Sequence, residues 1–430
     1  MKDKPGRVHY GWIVVLMGMI ATVGAHGFGR MSYTLILPAM REGLGLSYTQ
    51  AGLLGTGNFI GYLTFSVLGG YLAARYRSRL IIGLSLLVMG VTMILTGLAR
   101  SFAWAFAMRL VTGLGNGGTF VPAMALGSVW LSSRYRGFAT GIVSGGIGVG
   151  TVLGALIVPR ILAAYGPGGW PFTWYYLGAL LLIIGAVCYT FLRSSPEEVG
   201  LTPVGGEELR NPQKSSSSGP GALNWGLVYR RREVWHLGLV YFAYGFSYVI
   251  YMTFFAAYLK NEIGWPAGMA SALWALVGAL SIFCGVLWGW VSDRLGRKYG
   301  AALVYLSLGI SYLVFAWCES DWGFYASAVI FGLGAWSIPT IMAAASGDYV
   351  GRQLAPAALG FVTLFFGIGQ ALGPAVGGYL ADLTKTFAWS FSLAAAVSFA
   401  GLAGSLGLRA PRLQETGAPV GEKAAGAARQ

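Results

Sequence analysis

The sequence predicts an all-α integral membrane protein, with twelve transmembrane helices arranged as two pseudo-symmetric six-helix bundles. Three observations carry that expectation. First, 56% of the 430 residues are hydrophobic and only 10% are charged. A soluble domain carries roughly 25% charge, and so few polar residues could not cover a water-facing surface. Second, whole windows hold no charge, Leu80–Ala99 and Trp174–Leu192 among them. Each has about 20 residues, enough to cross roughly 30 Å of hydrocarbon as a helix. Backbone N–H and C=O groups find no water there, so the spans must be helices; a closed barrel would show short alternating segments instead. Third, the two halves repeat one another. Gly27-Phe28 recurs as Gly245-Phe246, Gly113-Leu114-Gly115 as Gly332-Leu333-Gly334, and Gly137-Phe138-Ala139-Thr140 as Gly360-Phe361-Val362-Thr363, in order and at offsets of 218, 219 and 223. A duplicated bundle of this kind is a parallel repeat, with its site expected between the halves near mid-membrane.

The elements follow from the apolar windows. Helices are expected at 10–39, 48–74, 80–99, 101–131, 137–163 and 172–193, then at 234–260, 266–292, 299–318, 322–346, 355–382 and 387–408. Residues 1–193 form the first bundle and 233–410 the second. Between them, 194–232 reads as a polar cytoplasmic linker containing Ser215–Ser218 and Arg230–Arg232, and 411–430 as a disordered tail rich in Ala and Gly. The first apolar segment is too long for a signal-peptide core and reads as helix 1.

The net charge of +14 is a topology signal. Most of the 29 lysines and arginines fall before helix 1, in the even-numbered loops, in the linker and in the tail. The opposite helix ends hold only Arg41, Arg100, Arg160, Lys260 and Lys385. The positive-inside rule then places both termini in the cytoplasm, and no nucleic-acid partner is expected. A multi-pass protein of a bacterial inner membrane, acting as a monomer in the lipid bilayer, fits the very short loops. Cys188, Cys284 and Cys318 lie in or near separate helices with no metal spacing. With no phosphate loop, paired carboxylates or Ser/His/Asp set placed for chemistry, neither enzyme activity nor a metal or cofactor is expected.

Charge inside the spans is scarce and therefore informative, because an ionisable group there costs at least about 2.5–3.5 kcal/mol. Each of the 15 acidic residues lies in a loop or near a helix end, leaving His26, Arg30 and Arg109 as the interior charges. His26, Arg30 and Tyr33 are spaced i, i+4, i+7 along one face of helix 1. Arg30 has no evident acidic mate, and an unpaired guanidinium suits a carboxylate or phosphate arriving as substrate; the alternative is that it snorkels to the interface or bonds helix carbonyls. The 218-residue offset carries His26, Arg30 and Tyr33 onto Tyr244, Tyr248 and Tyr251, which with Tyr241 make one stripe of helix 7. Their hydroxyls could donate to an anion, or the stripe could be ordinary packing. Asn58, Asn116, Trp336 and Gln370 are further candidates to line the pathway. His26 could carry a proton or remain a neutral hydrogen-bonding group.

The loop after helix 8 reads Gly289-Trp290-Val291-Ser292-Asp293-Arg294-Leu295-Gly296-Arg297-Lys298 and resembles the G-x-x-x-D-R-x-G-R-[RK] loop of the major facilitator superfamily. The loop after helix 2, Gly70 to Arg79, resembles a degraded copy in which Ala74 replaces the Asp and Arg77 the Gly. Arg109 with Gly113 is similar to the family's helix-4 R-x-x-x-G motif, and glycine-dense helix 5 is similar to that of its antiporters. The resemblance spans essentially the whole chain. It implies gating roles for Arg75, Arg109, Asp293, Arg294 and Arg297. The superfamily's organophosphate:phosphate antiporters have a substrate-binding Arg in helix 1 at a similar offset from a proline, here Pro38. The overall pattern resembles the oxalate/formate antiporter and monocarboxylate transporter branch, although helices 8 and 11 lack that branch's basic residues. The expectation is a secondary active transporter of a small organic anion, a monocarboxylate in particular, working by rocker-switch alternating access with either a proton or an exchanged anion as coupling partner. The alternatives are an exporter of amphipathic or aromatic compounds and a transporter-like receptor that binds without turnover.

Overall fold

The computed structural model describes residues 9–205, 230–350 and 355–408. Twelve long helices make up nearly all of it: α1 (Tyr10–Leu44), α2 (Tyr48–Arg75), α3 (Ser78–Gly97), α4 (Phe102–Trp130), α5 (Ser133–Tyr165), α6 (Trp170–Phe191), α7 (Arg232–Asn261), α8 (Ala267–Leu295), α9 (Arg297–Trp317), α10 (Asp321–Gly334, continued by Ser337–Val350), α11 (Ala355–Thr384) and α12 (Ala388–Gly407). Each meets one expected span, with ends moved by a few residues. The centre of the expected linker, with Ser215–Ser218, and the tail at 411–430 lie outside the described residues.

Two interruptions were not legible in the hydropathy. α1 changes from α-helix (Tyr10–Thr22) to a π-helical stretch (Val23–Met31) and back (Tyr33–Leu44). α10 breaks between Gly334 and Ser337. Other local features follow ordinary rules. Ser47 and Gln50 form a capping box at the start of α2. Gly296 takes φ of +92° between α8 and α9, a conformation that favours glycine. Arg77 occupies the matching place in the first half at φ −101°, so the degraded loop turns by a different path.

The packing repeats as the sequence does. In the first half α2 packs on α4 and α3 on α6; in the second α8 packs on α10 and α9 on α12. α1 lies against α5, and α7 against α11. Across the halves α2 meets α11, α5 meets α8, and α1 meets α7. α7 and α1 are the central helices: 89% and 72% of their spans are buried, against 33–61% for the others that are long and apolar enough to cross a membrane. Outer faces present Leu84, Leu87, Ile183, Leu303 and Leu313, as lipid contact requires. Close approach is made by glycine in equivalent places. A Cβ on Gly27 of α1 would meet the backbone of Gly150 in α5, and one on Gly245 of α7 the carbonyl of Phe366 in α11.

Hydrogen bonds tie the halves together from mid-membrane toward the end that carries the α1–α2, α7–α8 and α11–α12 turns. Thr34 Oγ1 donates to the Met252 carbonyl at 2.7 Å. The Asp382 carboxylate of α11 accepts from the amides of Tyr48 and Thr49, the first turn of α2, at 2.9 and 2.7 Å. Lys260 pairs with Glu42 at 3.5 Å, and Asn261 Nδ2 donates to the Tyr48 hydroxyl at 3.2 Å. Carboxylate capping of free helix amides is favourable because the helix dipole adds to the hydrogen bonds. At the other end, with the degraded loop, Cβ atoms placed on Gly137, Gly141 and Gly360 would meet nothing.

Candidate functional site

The site is assembled around Arg30, in the π-helical stretch of α1. Arg30 is only 6% exposed. One guanidinium nitrogen donates to the Tyr248 hydroxyl of α7 at 3.0 Å. Its Cζ lies 4.1 Å from the Phe59 ring centroid and 5.3 Å from that of Tyr62, both on α2. Its Nε has no hydrogen-bond partner, and among the described residues no carboxylate lies within ion-pair distance. A buried guanidinium without a counter-charge is costly, and an incoming anion would relieve that cost.

Neutral donors converge on the same point. Gln370 Nε2 of α11 donates to the Tyr248 hydroxyl. That oxygen therefore accepts from both Arg30 and Gln370, leaving its own proton free to donate. Trp336, at the α10 break, lies nearly perpendicular to the Tyr248 ring with centroids 5.6 Å apart, and its indole N–H is buried without a partner. Tyr244 stacks on Tyr248 at 4.6 Å and donates its hydroxyl to the Ala335 carbonyl that the break leaves free. Tyr241 stacks on Phe366 at 4.5 Å. His26 lies 4.4 Å from the Phe120 ring and 5.8 Å from Tyr62, with Nδ1 unpartnered.

Other candidates point elsewhere. Tyr33 donates to the Ala51 carbonyl at 2.6 Å and stacks on Trp174 within the first half. Its mate Tyr251 bonds Ser327 Oγ at 2.8 Å within the second. Asn58 Nδ2 donates to the Arg109 carbonyl at 3.2 Å. Asn116 Nδ2 donates to the Ala25 carbonyl at 2.8 Å. Arg109 itself donates to the Gly29 carbonyl at 2.8 Å and lies over the Tyr33 and Trp174 rings.

The motif residues sit at the end with the degraded loop. Arg297 bonds Asp293, and its Nε reaches Asp348 of α10 at 3.0 Å. Arg294 lies over Trp290 at 4.2 Å, and Arg75 lies near the Tyr76 ring at 5.9 Å. The exposed carboxylates of Asp293 and Asp348 make these pairs worth at most about 1 kcal/mol each.

Phe59, Tyr62 and Phe366 escaped the sequence reading. A signal existed: Tyr62 lies four residues beyond Asn58, and Phe366 four before Gln370. Each pair thus shares a helix face with a polar residue inside a span.

The geometry has the form of a transport site, a polar cluster between two bundles with one end held shut. The chain matches the model of the Major Facilitator Superfamily over residues 19–317 and again over 237–429. It is similar to a probable sulfoacetate transporter of Cupriavidus necator, 27% identical over 92% of each chain. It is also similar to a hexuronate transporter of Bacillus subtilis, 23% identical over 87% of this chain and 89% of that one. In fold it resembles a bacterial homologue of the human lysosomal transporter Spinster in an inward-facing, unoccupied conformation, with a TM-score of 0.72 at 18% identity over 95% of both chains. The chain, a multi-pass membrane transporter and not an enzyme, belongs to the major facilitator superfamily.

Proposed function

We propose that the protein is a secondary transporter of a small organic anion, with Arg30 as the anchor of one carboxylate. The observation that carries this reading is the buried guanidinium with an unpartnered Nε and, among the described residues, no carboxylate to pair with. Tyr248, Trp336 and Gln370 add neutral donors around it. Two transporters of similar sequence point the same way. Sulfoacetate and hexuronate, the substrates in their names, share one carboxylate and differ in the rest. One guanidinium fits one carboxylate, so monocarboxylates are the first class to try.

The two bundles would rock about the bound anion. The described conformation has the Asp382 end shut. With both termini in the cytoplasm of a bacterial cell, as the distribution of Lys and Arg indicates, it is the inward-facing form. Anion exchange needs no titrating group, whereas proton symport would use His26 or a protonated substrate.

The test is uptake of labelled anions into vesicles holding purified protein, with thermal stability measured in parallel. A ligand at about 100 times its Kd stabilises by roughly 2.7 kcal/mol. Monocarboxylates, sulfoacetate, a hexuronate, neutral sugars and aromatic cations form the panel. An anion that is taken up by the wild type, shifts its stability and fails on both counts with Arg30→Ala supports the reading. Uptake unchanged in Arg30→Ala overturns it. Stability shifts from neutral aromatic compounds in both proteins would favour the exporter reading, for which the Tyr241–Phe366 and Tyr244–Tyr248 stacks are the supporting observation. Binding without uptake would favour a receptor.

A further inference from the structure

The π-helical stretch of α1 sets where Arg30 sits, and something must hold it in that form. A π turn takes i→i+5 hydrogen bonds and is rare outside functional sites. Here it spans nine residues, Val23–Met31, and closes with the Ser32 amide on the Gly27 carbonyl at 3.0 Å. Its wide turns leave carbonyls open to side-chain donors, and three alternate ones take them. Ala25 accepts from Asn116 at 2.8 Å, Gly27 from Ser32 Oγ at 3.0 Å and Gly29 from Arg109 at 2.8 Å. Asn116 and Arg109 are seven residues apart on α4, so one face of α4 grips the stretch. Gly27 also lies against Gly150, with no room for a side chain between them. The amide orientation of Asn116 follows from chemistry: only its NH₂ can meet a carbonyl oxygen.

Converting the stretch to α-helix would tighten each of its turns by nearly one residue. Over nine residues everything beyond would rotate far around against what precedes it, and Arg30 would leave Tyr248. We propose that Asn116 is a positioning residue: through the Ala25 carbonyl it keeps α1 in its π form, so that His26 and Arg30 face the gap between the halves, and it does not itself touch the anion. This inference rests on the reading of Arg30 as the anion's anchor.

The test is transport kinetics of Asn116→Leu, which keeps the branched shape and loses the donor, beside Asn116→Gln, which keeps a donor. Each protein is first checked for folding by its thermal midpoint. The expected result is a half-saturating anion concentration about tenfold higher in Asn116→Leu, as for the loss of one buried hydrogen bond, with the maximum rate per folded protein nearly unchanged. Asn116→Gln should recover most of that loss. Hydrogen exchange should also speed up at the amides of residues 23–31 in Asn116→Leu. A purely structural role predicts fewer folded molecules at an unchanged half-saturating concentration, and that result overturns the proposal. If Asn116→Leu fails to fold, Asn116→Val, which also lacks a donor, takes its place with the same two outcomes. Arg30→Ala is run alongside. If it transports normally, the anchor reading falls. If it is inactive while Asn116→Leu keeps the wild-type half-saturating concentration and exchange rates, only the positioning role falls.

Discussion

α1 and α7 hold equivalent places in the two halves, and they touch residue for residue at the repeat offset. Arg30 bonds Tyr248, Thr34 bonds the Met252 carbonyl and Glu42 pairs with Lys260, each 218 positions apart. Residues that meet their own symmetry mates must lie beside the pseudo-twofold axis, so these two helices form the centre line of the molecule. In chemistry they differ. α7 is continuous α-helix and presents neutral phenols; α1 is interrupted by the π stretch and presents a guanidinium and an imidazole. Duplication supplied the frame twice, while the charge was placed in one half alone. An anion held by Arg30 would therefore belong to the first half, and the second half would close on it through neutral donors.

The sharpest way to break that comparison is to move the charge across the axis. Arg30→Tyr should reduce anion uptake by 100-fold or more, since losing one partner of a buried charged pair costs about 2–5 kcal/mol. Adding Tyr248→Arg should bring part of that uptake back, because the mate position reaches the same point. No recovery, with both proteins folded, would show that the π stretch and not the axis determines where the guanidinium must be. Next in size is Gly27→Ala. Its methyl would meet the Gly150 backbone, and overpacking of this kind costs about 1–3 kcal/mol. A thermal midpoint several degrees lower is expected; an unchanged midpoint would mean that α1 and α5 can part freely.

Much of this frame was legible from the sequence, and the reason is lipid. The bilayer imposes one length and one polarity on every span, so α1 to α12 could be read from long apolar windows with little or no charge. The offset of 218 also paired Arg30 with Tyr248 before any contact was known. The rest was hidden by geometry. The π stretch has the composition of a glycine-rich helix, and no hydropathy pattern reveals the extra residue per turn. Arg30 and Tyr33 read as one face under α-helical spacing, but the π-to-α junction at Ser32 lies between them and sends Tyr33 to Ala51. Tyr248 and Tyr251 are only roughly 60° apart around α7, yet the phenols diverge, one to Arg30 and one to Ser327. With 23 Phe and 23 Tyr in the chain, periodicity could not separate Phe59 or Phe366 from aromatics that face lipid.

The two ends of the α1–α7 line differ as the two helices do. At one end Asp382 caps the start of α2 across the interface; at the other end of α2, in the α2–α3 loop, Ala74 stands where the motif has Asp. Asp382→Asn removes the charge that faces the α2 dipole, worth about 1 kcal/mol, and should raise the open population at that end about fivefold. A cysteine at Ala371, whose carbonyl now accepts from Thr56, placed in a background without Cys188, Cys284 and Cys318, would report this as faster labelling by a water-soluble maleimide. Labelling at the wild-type rate would mean that Asp382 caps α2 without holding the end shut.

The smallest effects should come from the mates that turn away from the axis. Tyr33→Phe removes a hydrogen bond to Ala51, and Tyr251→Phe removes one to Ser327. Each bond lies within its own half, so either loss should lower stability by about 1 kcal/mol and leave the half-saturating anion concentration within twofold. Tyr248→Phe, which removes the same single oxygen from the helix centre line, should instead weaken the anion about tenfold, because the hydroxyl proton that is free to donate to it is lost. Three tyrosines and one kind of substitution thus separate the axis from the frame. If Tyr251→Phe weakened the anion as much as Tyr248→Phe, the site would extend along the whole stripe of α7, and the division between charged anchor and neutral wall would have to be redrawn.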